Sequence, residues 1–489
     1  MLWIALYLPE LALESAARGA PEDLPLVLSD GPANRLKVCA ANEAARAAGV
    51  AADMALAAAQ TLCSDLRVMP RDEGRERAAL KSLAGWAGQF TPTVSLLETG
   101  LLLEVEASLA LFGGLMPLLA RLRRGVRELG FSAVPAVAPT PLAAWWLARA
   151  RHGRPGLRSC HDPARLMEHL RPLELSSLGW PEGSVGLLAG LGIRRLGPCL
   201  DLPRDGFARR FGPEAATLLD QALGRLPDPR PLFMAPESFA SGLELPAEVD
   251  RVEALQFPLR RLLVELEGFL RGRGAGVSQL ELMLGHTGKN RTRVPLGLAA
   301  PERHAARLLS LLRERLNRVE LSQPVVSMSL AAEGWLPFAA ENACLFPDGP
   351  GRGGRWRELQ ERLHARLGAG RVHALRTEAD HRPEAAWRPA PVLDVAGKAP
   401  ASGSESGPAS PRPVWLLPAP RALASRDGTP DYQGPLTLLQ GPERIEAGWW
   451  DGRPAGRDYY VARSRRGELL WVYRDHLTVP EWFLHGVFA

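Results

Sequence analysis

The stretch LWIALYLPE, residues 2–10, is the segment around which the rest of the chain is organised. Residues 3–8 are apolar without a break, which is typical of a strand buried on both faces. Pro9 has no N–H group to give to a strand ladder, so we expect the strand to end there. Protein chemistry is often carried by loops at the ends of such strands. This end offers only the phenol of Tyr7, a proline and the carboxylate of Glu10.

The composition is that of an ordinary globular protein, with 46% hydrophobic and 23% charged residues. A length of 489 residues predicts about three domains or more, at roughly 150 residues each. The formal net charge of +5 is mildly basic, so a nucleic-acid partner is allowed but not required.

The five cysteines are isolated, without a CxxC pair, so the sequence predicts neither a metal cluster nor a disulfide framework. The chain does not open with a charged-then-apolar signal peptide, and no uncharged apolar run reaches about 18 residues. These features predict a cytoplasmic protein with no membrane segment and no resident cofactor.

Helical and strand patterns alternate over the first 165 residues, which predicts an α+β fold. We predict helices at residues 42–50, 54–63, 79–90, 115–129 and 141–150, and strands at residues 93–97, 100–105 and 131–138.

Residues 172–211 have the pattern of a helix–hairpin–helix unit. Gly179 and Gly183 flank a tight turn, and the glycine turn of such a unit points backbone N–H groups at a DNA phosphate. A plain helical turn is the alternative interpretation.

Residues 237–334 form a further unit, with two helical apolar stripes and an alternating strand pattern between them. Its basic residues predict a patch that suits a DNA backbone, and a solvated surface is the alternative. The members of the predicted patch are Arg271, Arg273, Lys289, Arg291 and Arg293.

The sequence after residue 335 shows a less regular pattern of helices and strands. Residues 383–413 are rich in Pro, Ala, Ser and Gly and predict a disordered linker. Residues 414–489 are strand-like and aromatic, which suits either base stacking or a small β core. The aromatic residues in question are Trp449, Trp450, Tyr459, Tyr460, Trp471 and Trp482.

The order of these motifs over residues 1–334 resembles a Y-family translesion DNA polymerase. AANEAARAAGV (residues 40–50) is similar to the fingers of that family, LEVEASLALFGG (residues 103–114) to its palm hairpin, and residues 172–197 to its thumb. The block at residues 441–489 resembles one branch, the polymerase-like subunit of a bacterial mutagenesis cassette. The resemblance implies an α+β multidomain right hand of palm, fingers, thumb and little finger, with a C-terminal extension that carries a small β-rich domain.

Six segments follow from the resemblance and the composition together. They are a palm and fingers at residues 1–165, a thumb at 166–236, a little finger at 237–335, a clamp-binding segment with a short helix at 336–382, a linker at 383–413 and a β-rich partner-binding domain at 414–489.

Y-family polymerases hold two Mg²⁺ ions with carboxylates from the first strand and from the palm hairpin. The first-strand positions correspond to Tyr7 and Pro9 of this chain. The hairpin pair corresponds to Thr99 and Gly100 when the LFGG turn is kept in step. A shift of two residues would place Leu97 and Glu98 there instead, and neither register supplies an aspartate. The resemblance therefore implies a polymerase-like protein with no metal ligands and no catalytic residues.

The triphosphate contacts are also altered. Arg46 corresponds to the fingers arginine of the family, the tyrosine beside it is replaced by Glu43, and the palm lysine falls near Trp145. Two like charges about 4 Å apart cost on the order of 4 kcal/mol near a protein surface, so Glu43 would repel a triphosphate. The alternative is an active polymerase that uses substitute carboxylates, with Glu10, Glu98 and Glu104 as the candidates.

The pentapeptide NACLF, residues 342–346, resembles a sliding-clamp ligand with Asn342 in place of glutamine. Burial of Leu345 and Phe346 in a clamp groove would contribute roughly 1.5–3 kcal/mol each. This predicts a weak, about micromolar contact that becomes useful when DNA binding adds avidity.

The sequence therefore predicts a non-catalytic adaptor for the SOS response, DNA repair by translesion synthesis, and damage-induced mutagenesis. The resemblance implies four partners: DNA, the sliding clamp, a RecA-like protein called ImuA, and an error-prone C-family DNA polymerase.

Overall fold

In the computed structural model, the opening strand β1 (Trp3–Tyr7) is an inner strand of a four-stranded antiparallel sheet with the order β5-β6-β1-β7. Its neighbours are β5 (Val94–Leu97), β6 (Gly100–Glu104) and β7 (Val134–Ala138). Tyr7 is the last paired residue, opposite Gly100 on one side and Val134 on the other. The strand thus ends before Pro9, as predicted.

The structure describes residues 1–18, 23–150, 159–288, 290–321, 323–338, 359–363, 366–368, 371–391, 411–426, 428–477 and 481–488. It divides into two compact units, residues 1–366 and residues 367–489. The predicted clamp residues Asn342, Leu345 and Phe346, and the predicted basic residue Lys289, lie outside the described residues.

Helices cover both faces of this palm-like sheet. Ile4 and Leu6 pack with α4 (Glu73–Ala87) and α6 (Leu115–Glu128) on one face. Ala5 packs with α7 (Pro141–Arg149) on the other. Burial on both faces explains why the strand is apolar without alternation.

A smaller three-stranded sheet corresponds to the predicted fingers. It has the order β3-β2-β4, with β2 (Leu26–Asp30), β3 (Lys37–Ala41) and β4 (Arg67–Pro70). Beside it lie α1 (Leu11–Ala16), α2 (Glu43–Ala47) and α3 (Leu56–Leu62). The Asn42 side chain accepts a hydrogen bond from the N–H of Ala45 at 3.0 Å and caps α2, and it accepts another from the N–H of Leu26 at 3.0 Å. One side chain therefore starts the helix and attaches it to the sheet.

Five short helices form the thumb-like part. They are α8 (Leu166–Leu170), α9 (Glu182–Gly190), α10 (Leu196–Asp201), α11 (Arg204–Phe211) and α12 (Pro213–Ala222). Their core continues that of α7 through an aromatic row, with Trp146 5.9 Å from Trp180 and Trp180 6.2 Å from Phe207 between ring centroids.

The little-finger-like part is a five-stranded sheet with the order β10-β9-β11-β8, on which β12 also pairs with β9. The strands are β8 (Phe239–Val249), β9 (Ala275–His286), β10 (Arg291–Glu302), β11 (Val325–Ala332) and β12 (Trp335–Pro337). The helices α13 (Gln256–Gly272) and α14 (Ala305–Leu316) cover one face. The opposite face is the outer face of this sheet.

Trp86 of α4 joins the palm-like and little-finger-like parts. A Cβ atom added at Gly125 of α6 or at Gly268 of α13 would overlap its indole, so both positions require glycine. Nearby, buried Arg18 and Glu265 form an ion pair at 3.6 Å, and Ser82 donates a hydrogen bond to Glu265. Helix α13 is therefore seated on the palm-like helices by both shape and charge.

The unit at residues 367–489 contains a six-stranded sheet with the order β16-β15-β20-β19-β18-β17. Its strands are β15 (Trp415–Arg426), β16 (Thr429–Asp431), β17 (Thr437–Ala447), β18 (Ala455–Arg463), β19 (Leu469–Asp475) and β20 (Trp482–Val487). Tyr459 stacks on Trp471 with centroids 4.0 Å apart, and its hydroxyl bonds Nδ1 of the buried His485 at 2.8 Å.

The predicted linker at residues 383–413 is wrong at its N-terminal end. β13 (His373–Thr377) pairs with β14 (Trp387–Pro391) in an antiparallel hairpin. The turn between them contains Arg382, which binds the carboxylates of Asp380 and Asp451. Ion pairs tie this hairpin together, among them Arg388 with Glu378. A composition averaged over about thirty residues does not reveal such pairs.

The predicted α+β multidomain class with an additional β-rich C-terminal unit is confirmed. One more short helix, α5 (Leu109–Phe112), precedes the glycine turn that leads into α6. Among the described residues, no helix is both long enough and apolar enough to cross a membrane.

Candidate polymerase-like site and nucleic-acid interface

The tip of β1 is closed by aromatic side chains. The rings of Tyr7 and Trp145 meet edge to face, with centroids 5.6 Å apart and an interplanar angle of 85°. A Cβ atom at Gly100 would overlap the carbonyl oxygen of Leu6 and lie 2.8 Å from the Trp145 ring. Position 100 therefore has no room for a carboxylate side chain. We call Tyr7, Gly100 and Trp145 the strand-tip cluster.

The four positions that the family resemblance singled out lie next to one another. Tyr7 pairs with Gly100, and the N–H of Leu8 donates to the carbonyl oxygen of Thr99 at 2.9 Å. Pro9 follows directly and is half-exposed. None of these positions carries a carboxylate. Because Mg²⁺ requires oxygen ligands, the residues at this tip do not fit the two ions that the resemblance implies.

The candidate substitute carboxylates are dispersed. Glu104 pairs with Trp3 at the far end of β6, four residues from Gly100, which is roughly 13 Å along a strand. It accepts a hydrogen bond from the N–H of Leu2 at 3.2 Å. Glu98 is exposed in the β5–β6 turn. Within the described residues, no group of three or more His, Cys, Asp or Glu side chains is placed to hold a metal ion.

Arg46, the predicted triphosphate contact, already has partners. Its guanidinium forms an ion pair with Glu10 at 3.3 Å and donates to the carbonyl oxygen of Ala41 at 2.6 Å. Glu43 stands in the first turn of the same helix. Glu10, the third candidate substitute carboxylate, thus pairs with the arginine that was predicted to contact a triphosphate.

Trp145 also connects the strand tip to the thumb-like part, a contact that sequence reasoning missed. The guanidinium of Arg149 lies 5.9 Å from the centroid of the Trp145 ring. A Cβ atom at Gly179 would lie 2.8 Å from Nη1 of Arg149, and Gly179 has φ +70°. Gly179 therefore faces Arg149 and packs closely against its side chain.

The two predicted turn glycines of the helix–hairpin–helix differ in their placement. Gly179 lies in a turn with φ +70°, whereas Gly183 lies inside α9. A second glycine turn, at Gly192 between α9 and α10, has φ +78°, and a Cβ atom added there would meet nothing within 4 Å. Arg194 and Arg195 follow it and are exposed. Contact of Gly179 and Gly183 with DNA stays a prediction.

The predicted basic patch is not one patch. Arg291 and Arg293 lie opposite Gly285 and Met283, near the far end of β9, and share the outer face of the sheet. Arg271 and Arg273 come just before the start of β9, ten residues or more from Gly285, which is roughly 30 Å along the hairpin.

The individual arginines also differ in their availability. Arg273 stacks over Phe269 at 3.9 Å and donates to the carbonyl oxygen of Pro236 at 2.6 Å, and burial lowers the pKa of its guanidinium. Arg271 pairs with Glu267 at 2.5 Å, and Arg293 pairs with Glu281. Arg291 lines a cavity of about 340 Å³ at the outer face.

The outer face of the little-finger-like sheet is smooth. Gly242 lies opposite Ser329, and Gly285 lies opposite Ser327, across neighbouring strands. Arg291 lies at the edge of this face, and Arg75 and Ser82 of α4 line the other side of the cavity there.

The C-terminal aromatics divide into two groups. Tyr459, Trp471 and Trp482 are buried in the sheet core. Trp449 and Trp450, by contrast, are 80% and 55% exposed at the β17–β18 turn, with centroids 5.4 Å apart. The small-core interpretation holds for the first group and is wrong for the second.

The side chain of Arg382 holds the turn that carries Trp449 and Trp450. Arg382 binds Asp451 at 2.6 Å and donates to the carbonyl oxygen of Arg453 at 3.0 Å. Gly448 has φ +80°, and a Cβ atom there would overlap the Arg382 guanidinium. We call residues 448–454 the tryptophan turn.

Comparisons with known proteins agree with this architecture. The model of the impB/mucB/samB family matches residues 12–149. Protein ImuB of Caulobacter vibrioides (strain NA1000 / CB15N) is 30% identical over 463 residues, which cover 88% of this chain and 98% of that protein. DNA polymerase IV of Dehalococcoides mccartyi (strain CBDB1) is 28% identical over 282 residues, which cover 56% of this chain and 70% of that protein.

Among solved structures, a Y-family DNA polymerase chimera of Dbh and Dpo4 covers 68% of this chain and 98% of its own, with 17% identity and a TM-score of 0.40. The ImuB relative spans both the polymerase-like part and the C-terminal unit, and it meets this chain over nearly its whole length. The chain therefore belongs to the ImuB family of polymerase-like proteins.

Proposed function

We propose that this protein is a non-catalytic adaptor in DNA-damage-induced mutagenesis and translesion synthesis. It binds primer–template DNA and the sliding clamp, and it recruits an error-prone C-family polymerase that performs the synthesis. The observation that carries the proposal is the strand-tip cluster, because the Tyr7 ring and a glycine without side-chain space stand where the family resemblance implies metal ligands, and the Trp145 indole fills the space beside them.

Two further observations support the loss of catalysis. Arg46 is paired with Glu10 rather than free to meet a triphosphate. Glu104 lies at the wrong end of its strand to share a metal ion with Glu98. A two-metal mechanism needs several oxygen ligands converging on one point, and these carboxylates diverge.

DNA binding is supported by two surfaces of the first unit. The outer face of the little-finger-like sheet offers small side chains with Arg291 at its edge. The Gly192 turn, followed by the exposed Arg194 and Arg195, offers positive charge and room for close approach. Both suit phosphate contacts, which position a protein on DNA without reading its sequence.

Recruitment would use the clamp peptide and the C-terminal unit. Leu345 and Phe346 are the proposed anchors in the sliding clamp. The exposed tryptophan turn suits a protein partner, such as the C-family polymerase or RecA-like ImuA, because tryptophan is enriched at the energetic centres of interfaces. Asp451 and Arg453 of the turn, together with Asp380 and Arg382 packed against it, carry no net charge, so a phosphate backbone gains nothing there.

A primer-extension assay tests the central claim. The purified full chain, supplied with Mg²⁺ and all four nucleotides, should leave the primer unextended while an active Y-family polymerase extends it. Magnesium-dependent incorporation that disappears in Glu10→Ala or Glu98→Ala would instead establish the alternative, an active polymerase with substitute carboxylates.

Clamp and partner binding are tested separately. Leu345→Ala combined with Phe346→Ala should abolish clamp binding and leave DNA binding intact. Trp449→Ser combined with Trp450→Ser should abolish capture of the C-family polymerase or of ImuA and leave clamp binding intact. Retention of both partners by the tryptophan variant would move the recruiting surface elsewhere on the chain.

A further inference from the structure

A narrow groove runs between α6 and α13, on the face of the palm-like sheet that α4 and α6 cover. It encloses about 200 Å³. Its floor is an aromatic row, with Trp86 5.3 Å from Phe90 and Phe90 5.4 Å from Phe112 between ring centroids. Arg121 and Arg124 of α6 stand on one rim, and α13 forms the other. We call this feature the α6–α13 groove.

The two arginines of the α6 rim form no ion pair within the described residues, although Glu128 stands one turn beyond Arg124 on the same helix. The Arg121 guanidinium lies 5.5 Å from the centroid of the Phe112 ring. In the part of the chain that the structure describes, neither Arg121 nor Arg124 has a carboxylate within 4 Å. On the facing rim, Arg271 is already neutralised by Glu267 at 2.5 Å. A ligand that reaches the α6 rim with negative charge would therefore meet two uncompensated guanidinium groups.

The arginines of α6 occupy two different flanks. At about 100° per residue, Arg121 and Arg124 project toward the groove, whereas Arg123 and Arg127 project roughly 100° or more away. Arg127 lines a separate cavity together with Phe131. All four are exposed. Charge reversal at Arg123 and Arg127 is therefore a matched control for charge reversal at Arg121 and Arg124.

We propose that the α6–α13 groove binds an acidic protein segment that inserts one apolar or aromatic side chain onto the aromatic floor. At about 30 Å³ for each water in the liquid, the cavity equals six or seven waters, which suits one large side chain. The acidic flanks of the segment pair with Arg121 and Arg124. This places a further protein contact on a surface that the proposed DNA, clamp and C-terminal contacts do not use.

The same groove is a poor seat for nucleic acid. Glu128 and Glu267 line it beside the arginines, and both would repel a closely spaced row of phosphates. An acidic peptide can place its carboxylates at the arginines alone and present uncharged backbone to the two glutamates. Because one rim belongs to the palm-like part and the other to α13, a bound segment spans both parts.

The test measures fluorescence anisotropy of labelled synthetic peptides with the full chain, at about 150 mM salt, where charges farther apart than about 8 Å are screened. The probe peptide has a Leu-Phe pair flanked on each side by three aspartates. One comparison peptide replaces Leu-Phe by Ala-Ala, and a second replaces the aspartates by lysines. The probe should bind, and each comparison peptide should bind at least about tenfold more weakly.

The decisive variants reverse the same charge on the two flanks. Arg121→Glu combined with Arg124→Glu should weaken probe binding by at least about tenfold, while Arg123→Glu combined with Arg127→Glu should change it less than about threefold. Phe112→Ser should remove the advantage of Leu-Phe over Ala-Ala. Circular dichroism and thermal unfolding show that each variant is folded.

Four outcomes would overturn the proposal. They are no binding of the probe to the wild-type chain, equal losses in the two charge-reversal variants, equal affinity for the Leu-Phe and Ala-Ala peptides, and displacement of the probe by a thymidine oligonucleotide whose own binding depends on Arg121 and Arg124. The last would make the groove a nucleic-acid site. None of these results depends on whether the strand tip is catalytically inactive.

Discussion

The edge of the Trp145 indole meets the ring of Tyr7 at 85°, with centroids 5.6 Å apart, directly beside Gly100. The two rings can pack here because Gly100 has no side chain. Any side chain at position 100 would overlap the indole. The aromatic pair thus makes the strand tip an apolar contact. The strand β1 pairs with both β6 and β7 and so holds the sheet together.

Gly100→Ala is expected to destabilise the chain by about 1–3 kcal/mol, because the new methyl group overlaps the Leu6 carbonyl and the Trp145 ring. Urea unfolding at equilibrium measures the change. Gly183→Ala is the control, since it lies in α9 with open space around its Cβ position, and helix propensity predicts no loss or a gain of up to about 1 kcal/mol. Equal stabilities for the two variants would mean that the strand tip is not closed by Trp145.

Glu10→Gln should strengthen binding of a deoxynucleoside triphosphate by about fivefold, because removing one partner of a partly exposed ion pair is worth roughly 1 kcal/mol to a competing anion. Titration with a fluorescent nucleotide analogue measures the affinity. Adding Arg46→Ala to the same variant should cancel the gain. A gain that persists without Arg46 would place the nucleotide contact at another residue.

Arg291 and Arg273 should behave differently when each is changed to alanine. Arg291→Ala should lower the dependence of DNA affinity on salt by about one in the log–log slope, since it removes one phosphate contact. Arg273→Ala should leave that slope unchanged and lower thermal stability instead, because it removes the cation over Phe269. The reverse result would show that the end of α13 contacts DNA and that the outer sheet face does not.

Two tryptophans of the C-terminal unit should differ strongly in their effect on stability. Trp471→Ala, in the stack with Tyr459, should cost about 3–5 kcal/mol. Trp449→Ala, at an exposed turn, should change the free energy of unfolding by less than about 0.5 kcal/mol. Urea unfolding of both variants decides the point, and a large loss in Trp449→Ala would identify the turn as part of the core.

The C-terminal unit should lose stability as the pH falls from about 6.5 toward 4. Burial lowers the pKa of His485 to about 4, whereas an unfolded histidine has a pKa of about 6.5. Between these values the unfolded chain binds a proton that the folded chain does not, so lower pH favours unfolding. His485→Gln should flatten the dependence in urea unfolding at about pH 7 and pH 5. Identical pH dependence in the variant would assign the effect to other groups.

Local patterns in the sequence were enough to predict the strands and main helices of the palm-like part, but not the fingers-like strands β2, β3 and β4. The apolar run of β1, the hairpin of β5 and β6, and the Asn42 cap of α2 all follow from neighbouring residues. The four lost-carboxylate positions could also be placed, because the family motifs fix their order along the chain. Their character as the lost ligands remains a prediction.

The sequence alone did not predict contacts between distant segments. Nothing local shows that Trp145 fills the space beside Gly100, or that Arg149 packs against Gly179. Arg273 and Arg291 are close in the sequence, yet a twelve-residue strand carries them to opposite ends of a hairpin. Trp449 and Trp471 belong to one aromatic block, and only the position of the β17–β18 turn separates the exposed residue from the buried one.

The indole of Trp86, inserted between Gly125 and Gly268, fixes the distance between the palm-like and little-finger-like parts. Any swing of the little-finger-like part away from the palm must withdraw this ring into water, at a cost of roughly 2–3 kcal/mol for one large apolar side chain. A wide-open arrangement would then be populated in about one molecule in thirty or fewer. The gap between the palm-like and little-finger-like parts therefore has a nearly fixed width, which would limit the duplex shapes that the proposed DNA-binding surfaces accept.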